Sequence, residues 1–292
     1  MTMLLEEAIP LYIRTAKSRG RQQRGIDRYV QDIRWFMQDV GNREIDTITS
    51  IEIEEYLENL SDRCKVKTVK SALSSLRSFF IWAMRRGHRT DDPTLGIPSP
   101  KEPDCIPSAL DEGELSKLLQ AINTIPAGLT LTRRWHWTRN ARLVYLMLYA
   151  GLRMQEVVDL RWRDVDFKAN TLLVRNGKGG RCRALPLHPR LRAILHAATS
   201  DCADDAVVGI RSGAPTSRDH DRIFREWLPR LGVTGIHAHR LRHTFATELL
   251  RNKVDIRSIQ VLMGHKDIST TMRYLRVDPS WMQESVNLLP EW

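Results

Sequence analysis

The chain has 292 residues, enough for two domains, and an apolar share of 42% that excludes a disordered protein. No apolar run approaches the roughly eighteen residues that cross a bilayer, and the acid-bearing start MTMLLEEAIPLYIRTAK has no secretory pattern, so a cytoplasmic chain without a membrane partner is expected. The four cysteines (Cys64, Cys105, Cys182, Cys202) lack a C-x-x-C pair, which argues against a zinc site, and the net charge of +10 favours a polyanionic partner.

Residues 1–98 read as all helical. Leu4, Leu5, Ala8, Leu11 and Tyr12 recur at helical spacing, and a second helix runs from about Gly25 to Val40. A third follows the cap-like Ser50 through Ile53, Tyr56, Leu57 and Leu60. The fourth, from about Lys65 to Arg86, sets a core stripe of Val66, Val69, Leu73, Leu76, Phe80 and Ala83 against Lys67, Lys70, Ser71, Ser74, Arg77 and Ser78. Such a basic face is often merely solvated. Here small serines alternate with the cations and no acid stands between Asp62 and Asp91, which suits close approach to a phosphate backbone. Lys67, Lys70, Ser74 and Arg77 are therefore the expected DNA contacts.

Residues 90–107 hold five prolines, with 99–107 as the linker proper. Before Asp104, 17 Lys and Arg face 15 acids; from there on, 28 face 20, so the second part carries most of the basic excess. That part, 108–279, opens with Ser108 and Asp111 capping a helix through Leu115, Leu118 and Leu119. A longer helix holds Ala141, Val144, Tyr145, Met147 and Leu148 and ends near Gly151; LTRRWHWTRN before it reads as helix-start packing with a basic rim. Thr171–Arg175 and Arg183–Leu187, joined through Gly-Lys-Gly-Gly, read as a hairpin. Helices follow over Pro189–Ala198 and Ser217–Arg230, the latter with Arg218, Arg222 and Arg225 on one side. The tail, 280–292, keeps Trp281, Val286, Leu288, Leu289 and Trp292, apolar surface that calls for a docking partner.

The chemistry gathers between His239 and Tyr274. On a helix His239 and Arg242, three apart, share a face, while Leu241, Phe245, Leu249 and Leu250 look toward a core. Gly264 interrupts the next apolar run, His265 follows at a helix boundary, and Tyr274 stands on a short helix opened by Ser269, Thr270 and Thr271. Each residue alone has a bland reading. A lone Tyr is a packing residue, His239 a capping histidine, Lys178 a turn lysine, and Arg153 an ion-pair partner of Glu156 or Asp159.

Taken together and in order, H-x-L-R-H (239–243), L-M-G-H (262–265) and Tyr274 resemble the active-site signature of the tyrosine recombinases, the phage integrase family. Gly151-Leu152-Arg153-Met154-Gln155-Glu156 resembles that family's first-arginine box, and Asn176-Gly177-Lys178-Gly179-Gly180, with Arg183 and Leu185-Pro186-Leu187 after it, its hairpin lysine. The resemblance covers essentially the whole chain. It implies a mainly α fold: an N-terminal helical core-binding (SAM-like) domain and a C-terminal mixed α/β catalytic domain with a small antiparallel sheet. Compact length without an additional arm-binding domain points to the simpler, Xer-like plan.

For a DNA phosphodiester, Tyr274 offers a phenolic nucleophile, and Arg153 and Arg242 offer planar forks for phosphate oxygens. The resemblance makes Lys178 the general acid for the leaving hydroxyl, His239 a proton-transfer aid to Tyr274, and His265 a hydrogen-bond donor to the phosphate. Glu156 orients a neighbouring catalytic side chain, and His243 supports the site. His237 rivals His239, but only His239 stands three residues before Arg242. Gly180 departs from the polar or basic residue many relatives carry there. No acidic cluster suggests a two-metal site, so metal-free and ATP-free chemistry with no cofactor is expected. The resemblance further implies double-stranded DNA with paired recombination sites, a Holliday junction, a nucleoid-associated homotetramer or one shared with a related recombinase, and a tail that packs on the neighbouring protomer. Two rivals stand beside this: a type IB topoisomerase, with the same chemistry on one site, and a DNA-binding protein that has lost catalysis.

Overall fold

The helical spacing of the N-terminal part becomes four helices: α1 (Leu5–Ser18), α2 (Gln23–Val40), α3 (Ser50–Arg63) and α4 (Val66–Arg85). The computed structural model describes residues 3–101, 109–175, 182–198, 202–209, 217–265 and 267–272. Ser108, the 176–180 turn with Lys178, Tyr274 and the 280–292 tail lie outside them, as does most of the 99–107 linker. The chain divides into two compact units, 1–105 and 106–292.

In the first unit, α3 is capped by Thr49 rather than by Ser50. The Thr49 hydroxyl accepts the Glu52 backbone N–H, and the Glu52 carboxylate accepts the Thr49 backbone N–H at 2.9 Å. The helix α1 ends at Gly20, whose φ of +69° suits glycine. Gly20 N–H donates to Lys17 O (2.9 Å) and Arg21 N–H to Ala16 O (3.1 Å), the paired bonds that satisfy a helix's last carbonyls. Phe36, Phe79 and Phe80 fill the core edge to face with Tyr12 and Tyr56.

The α4 stripe is buried as its spacing predicts, except for Val66, which sits on the first turn and is 40% exposed. Its polar face divides. Lys67, Lys70 and Ser74 are exposed, whereas Arg77 is half-buried and donates to the Ile97 carbonyl. Ser75 is fully buried and donates to Asp32 at 2.6 Å.

The second unit is organised around α6 (Leu131–Ala150), buried nearly all round over its second half by Leu143, Val144, Leu146 and Met147. Its first turns are the LTRRWHWTRN segment. Trp137 is buried and donates from Nε1 to the Ile122 carbonyl at 2.8 Å, while Arg133 and Arg134 are exposed, as a packed helix start with a basic rim requires. Before α6 comes α5 (Glu112–Asn123), capped by Asp111. After it come α7 (Met154–Asp159) and a sheet of β1 (Val165–Asp166), β2 (Thr171–Val174) and β3 (Arg183–Pro186). The sheet is antiparallel in the order β1-β2-β3, with Leu172 opposite Leu185 and Val174 opposite Arg183. The hairpin matches expectation; β1, two residues long, is too short to alternate visibly.

The helix α8 (Pro189–His196) follows, and α9 (Ser217–Arg222) runs through a π turn (Ile223–Trp227) into α10 (Leu228–Arg230). The last helices are α11 (Ala238–Arg251), α12 (Ile256–Met263) and α13 (Ile268–Met272). The single core face expected for α11 is in fact two. Leu241 joins the main core, whereas Phe245, Leu249 and Leu250 border a separate cluster of Ala246, Ile259 and Met263. A helix packed on two sides buries Arg242 as well. Among the described residues, no helix is long and apolar enough to cross a membrane.

Candidate active site

The site is built on Glu156. Arg153 is the N-cap of α7, extended at φ −73° and ψ 153°, and Glu156 is the third helical residue. The Glu156 carboxylate accepts both the Arg153 backbone N–H and its Nη1, each at 2.8 Å. The alternative partner, Asp159, is exposed and accepts from Gln155 instead. From β3, Arg183 grips the same carboxylate with two prongs, Nη1 to Oε1 at 2.9 Å and Nη2 to Oε2 at 2.8 Å. From α11, Arg242 brings Nη1 to 3.8 Å. Side-chain exposure is 5% for Glu156, 6% for Arg242 and 10% for Arg183, but 26% for Arg153, so Arg153 is the guanidinium of the three most open to solvent.

One carboxylate faces three guanidinium groups in a largely buried place. The end of α12 answers them. Its last carbonyls, which have no helical partner, each receive one arginine: Leu262 O from Arg183 Nε at 3.0 Å, Met263 O from Arg242 Nη2, and Gly264 O from Arg153 Nη2 at 3.1 Å. The negative end of the helix dipole thus faces three cations. Gly264 ends α12 at φ +62°, and a Cβ there would stand 2.8 Å from Arg183 Nη1. Gly151 does the same for α6. At φ +58° its carbonyl accepts from Arg242 Nη1, and a Cβ would lie 2.3 Å from the Phe245 ring.

The electrostatics follow from this packing. Burial pushes the Glu156 carboxyl up, but the hydrogen bonds and charge of Arg183, with those of Arg153, outweigh it and hold the group at about 2. Burial and the charges of Arg242, Arg153 and Arg183 press the His265 imidazole down to about 4, so it is neutral at physiological pH. Its Nδ1 lies 2.8 Å from the hydroxyl of the buried Thr271.

Arg153, Glu156, Arg242 and His265 are thus brought together, and Arg183 joins them. His239 lies one turn before Arg242 on α11 and is exposed. Its rival His237 is the N-cap of α11, accepting the Arg240 N–H at Nδ1 (3.2 Å). His243 is half-buried, and its charge adds to the lowering at His265. Lys178 and Tyr274 are outside the described residues, and Lys67, Lys70, Ser74 and Arg77 belong to the other unit.

Sequence reasoning used Arg183 only as a marker of the hairpin box. The signal for more was its parity: Arg183 shares its strand face with the buried Leu185, and an inward cation needs an anion. The α12 carbonyls carry no side-chain pattern and are legible only through the glycine after the helix. Chemically, forked donors around a neutral imidazole suit a phosphate whose charge grows in a transition state.

The family model for the phage integrase family matches residues 108–280, and that for the phage integrase N-terminal SAM-like domain matches residues 11–88. The chain is 33% identical over 251 residues to tyrosine recombinase XerC of Alcanivorax borkumensis, covering 82% of this chain and 78% of that one. In fold it is similar to a lambda integrase(75-356) dimer bound to a COC′ core site, at a TM-score of 0.76 and 22% identity over 93% of this chain and 95% of that one. A lambda integrase tetramer bound to a Holliday junction gives 0.74 and 20%, over 94% and 77%. The chain belongs to the phage integrase family and is a tyrosine recombinase, a DNA breaking-rejoining enzyme.

Proposed function

We propose that the chain is a site-specific recombinase that cuts and rejoins duplex DNA through a 3′-phosphotyrosyl intermediate and a Holliday junction. The observation that carries this is the convergence of Arg153, Arg183 and Arg242 on Glu156 and the end of α12. A guanidinium has five N–H donors, so anchoring two does not exhaust it. Arg153 and Arg242, pre-set in this way, clamp the scissile phosphate and stabilise the charge that builds on its equatorial oxygens. Arg183 and Glu156 position that pair.

The Tyr274 oxygen attacks phosphorus, the 5′ oxygen leaves, and Lys178 gives that oxygen its proton; His239 assists the proton's departure from Tyr274. His265, neutral, donates a hydrogen bond to the phosphate without adding charge. The phosphotyrosyl ester keeps the ester bond's energy, so a new 5′ hydroxyl reverses the step without ATP, and the clamp's charge comes from side chains, without a metal. Residues 1–98 serve as the core-binding domain, 99–107 as linker, 108–279 as the catalytic domain, and 280–292 as the contact to a neighbouring protomer in a tetramer on two paired sites. DNA as substrate places the work in the cytoplasm, at the nucleoid. Supercoiled plasmids carrying two copies or one copy of a candidate site, in EDTA, test it. Exchange products that require both copies are expected; relaxation of the one-copy plasmid without exchange would identify a topoisomerase instead.

A further inference from the structure

The reaction above draws nothing from α1, and Arg77, read from sequence as a DNA contact, gives one of its five N–H donors to the Ile97 carbonyl. Beside Ser74, however, α1, α2 and α4 enclose a cleft of about 370 Å³. Arg19, Arg21 and Arg85 line it with the hydroxyls of Ser74 and Ser78, and among the described residues no acid does. The ion pairs of this unit hold other cations: Glu52 pairs with Arg43 and Asp91 with Arg89.

Arg21 is set in place before any ligand arrives. Its guanidinium lies 5.0 Å from the Tyr29 ring centroid, and its Nη1 donates to Ser78 Oγ at 3.1 Å and to the Tyr12 hydroxyl at 3.3 Å. The backbone prepares this. The paired carbonyl bonds at Gly20 turn the chain so that Arg19 and Arg21 flank the end of α1. Three cations on a concave wall that no described acid lines focus positive potential outward, and an anchored fork loses little freedom when it binds.

We infer that this cleft binds a backbone phosphate of duplex DNA, with Arg21 as the anchor and Arg19 and Arg85 as flanking donors. The inference rests on the DNA reading above and deepens it, adding Arg19, Arg21 and Arg85 to the contacts expected from Lys67, Lys70, Ser74 and Arg77. A phosphate contact carries no base preference. Each one lost reduces the slope of log K against log salt by about 0.9.

The test is fluorescence anisotropy of the full chain on target and scrambled duplexes across a NaCl series, comparing wild type, Arg19→Gln/Arg21→Gln and Arg85→Gln. Arg85→Gln removes none of the hydrogen bonds that tie Arg21, so it reports on the cleft even where the double variant melts early. The expected result is a slope smaller by about 0.9 for each contact removed, with equal weakening on both duplexes. Variants that match wild type in slope and affinity would overturn the site and leave the DNA reading standing. Weakening on the target duplex alone would overturn it in favour of base readout. Saturable binding of inorganic phosphate that the variants abolish, with duplex binding unchanged, would overturn the DNA assignment of the cleft. A wild type that binds neither duplex would overturn the reading beneath it.

Discussion

At Glu156 a single carboxylate decides the order of three arginines, and its removal is the sharpest test at the scale of a residue. Glu156→Gln leaves Arg183 and Arg242 buried beside a neutral group, a situation that costs about 3–5 kcal/mol. The pH dependence has a definite sign. The Glu156 carboxyl sits at about 2 in the folded chain, below its ordinary 4.5. Its stabilisation is therefore full above pH 4.5 and is lost as pH falls toward 2. The difference in unfolding free energy between wild type and Glu156→Gln, measured in urea from neutral pH downward, should shrink over that acid range; a constant difference would contradict the charge-based account. Arg153, Glu156, Arg242 and His265 could be singled out in the sequence because each falls in a short box, GLRMQE, HRLRH or LMGH, that resembles a family motif. The grip of Arg183 on Glu156 was not legible, since it joins a strand to a helix cap 27 residues away.

Among the elements, the two left-handed glycines that end α6 and α12 do unlike work to similar backbone geometry. Gly20, Gly264 and Gly151 all have positive φ, which strains any other residue by about 1–3 kcal/mol. An added Cβ meets nothing within 4 Å at Gly20, Arg183 Nη1 at 2.8 Å at Gly264, and the Phe245 ring at 2.3 Å at Gly151. Thermal unfolding should therefore rank Gly20→Ala as the mildest and Gly151→Ala as the most damaging, with Gly264→Ala between them and disproportionately poor in DNA cleavage. Equal melting temperatures for Gly20→Ala and Gly151→Ala would contradict the packing of α6 on α11. The amphipathic helices of the first unit could be read because each buries one stripe. The role of Thr49 as cap of α3 could not, since Ser50 beside it is an equally good cap former.

For the whole molecule, the basic excess beyond Asp104 and the proline-rich stretch at 90–107 announced two parts, and the chain does divide into two compact units. Charge composition alone does not say where DNA lies on the first of them; the place proposed above is the cleft lined by Arg21, which Ser78 holds in position. The central claim remains that Tyr274 attacks a phosphate held by Arg153 and Arg242. The measurement that tests it most directly is covalent trapping on a nicked duplex carrying the recombination site, in EDTA, with wild type beside Tyr274→Phe. Wild type should yield a protein–DNA adduct whose modified peptide contains Tyr274, and Tyr274→Phe should yield none. An adduct that persists in Tyr274→Phe, or one mapped to another residue, would contradict the account.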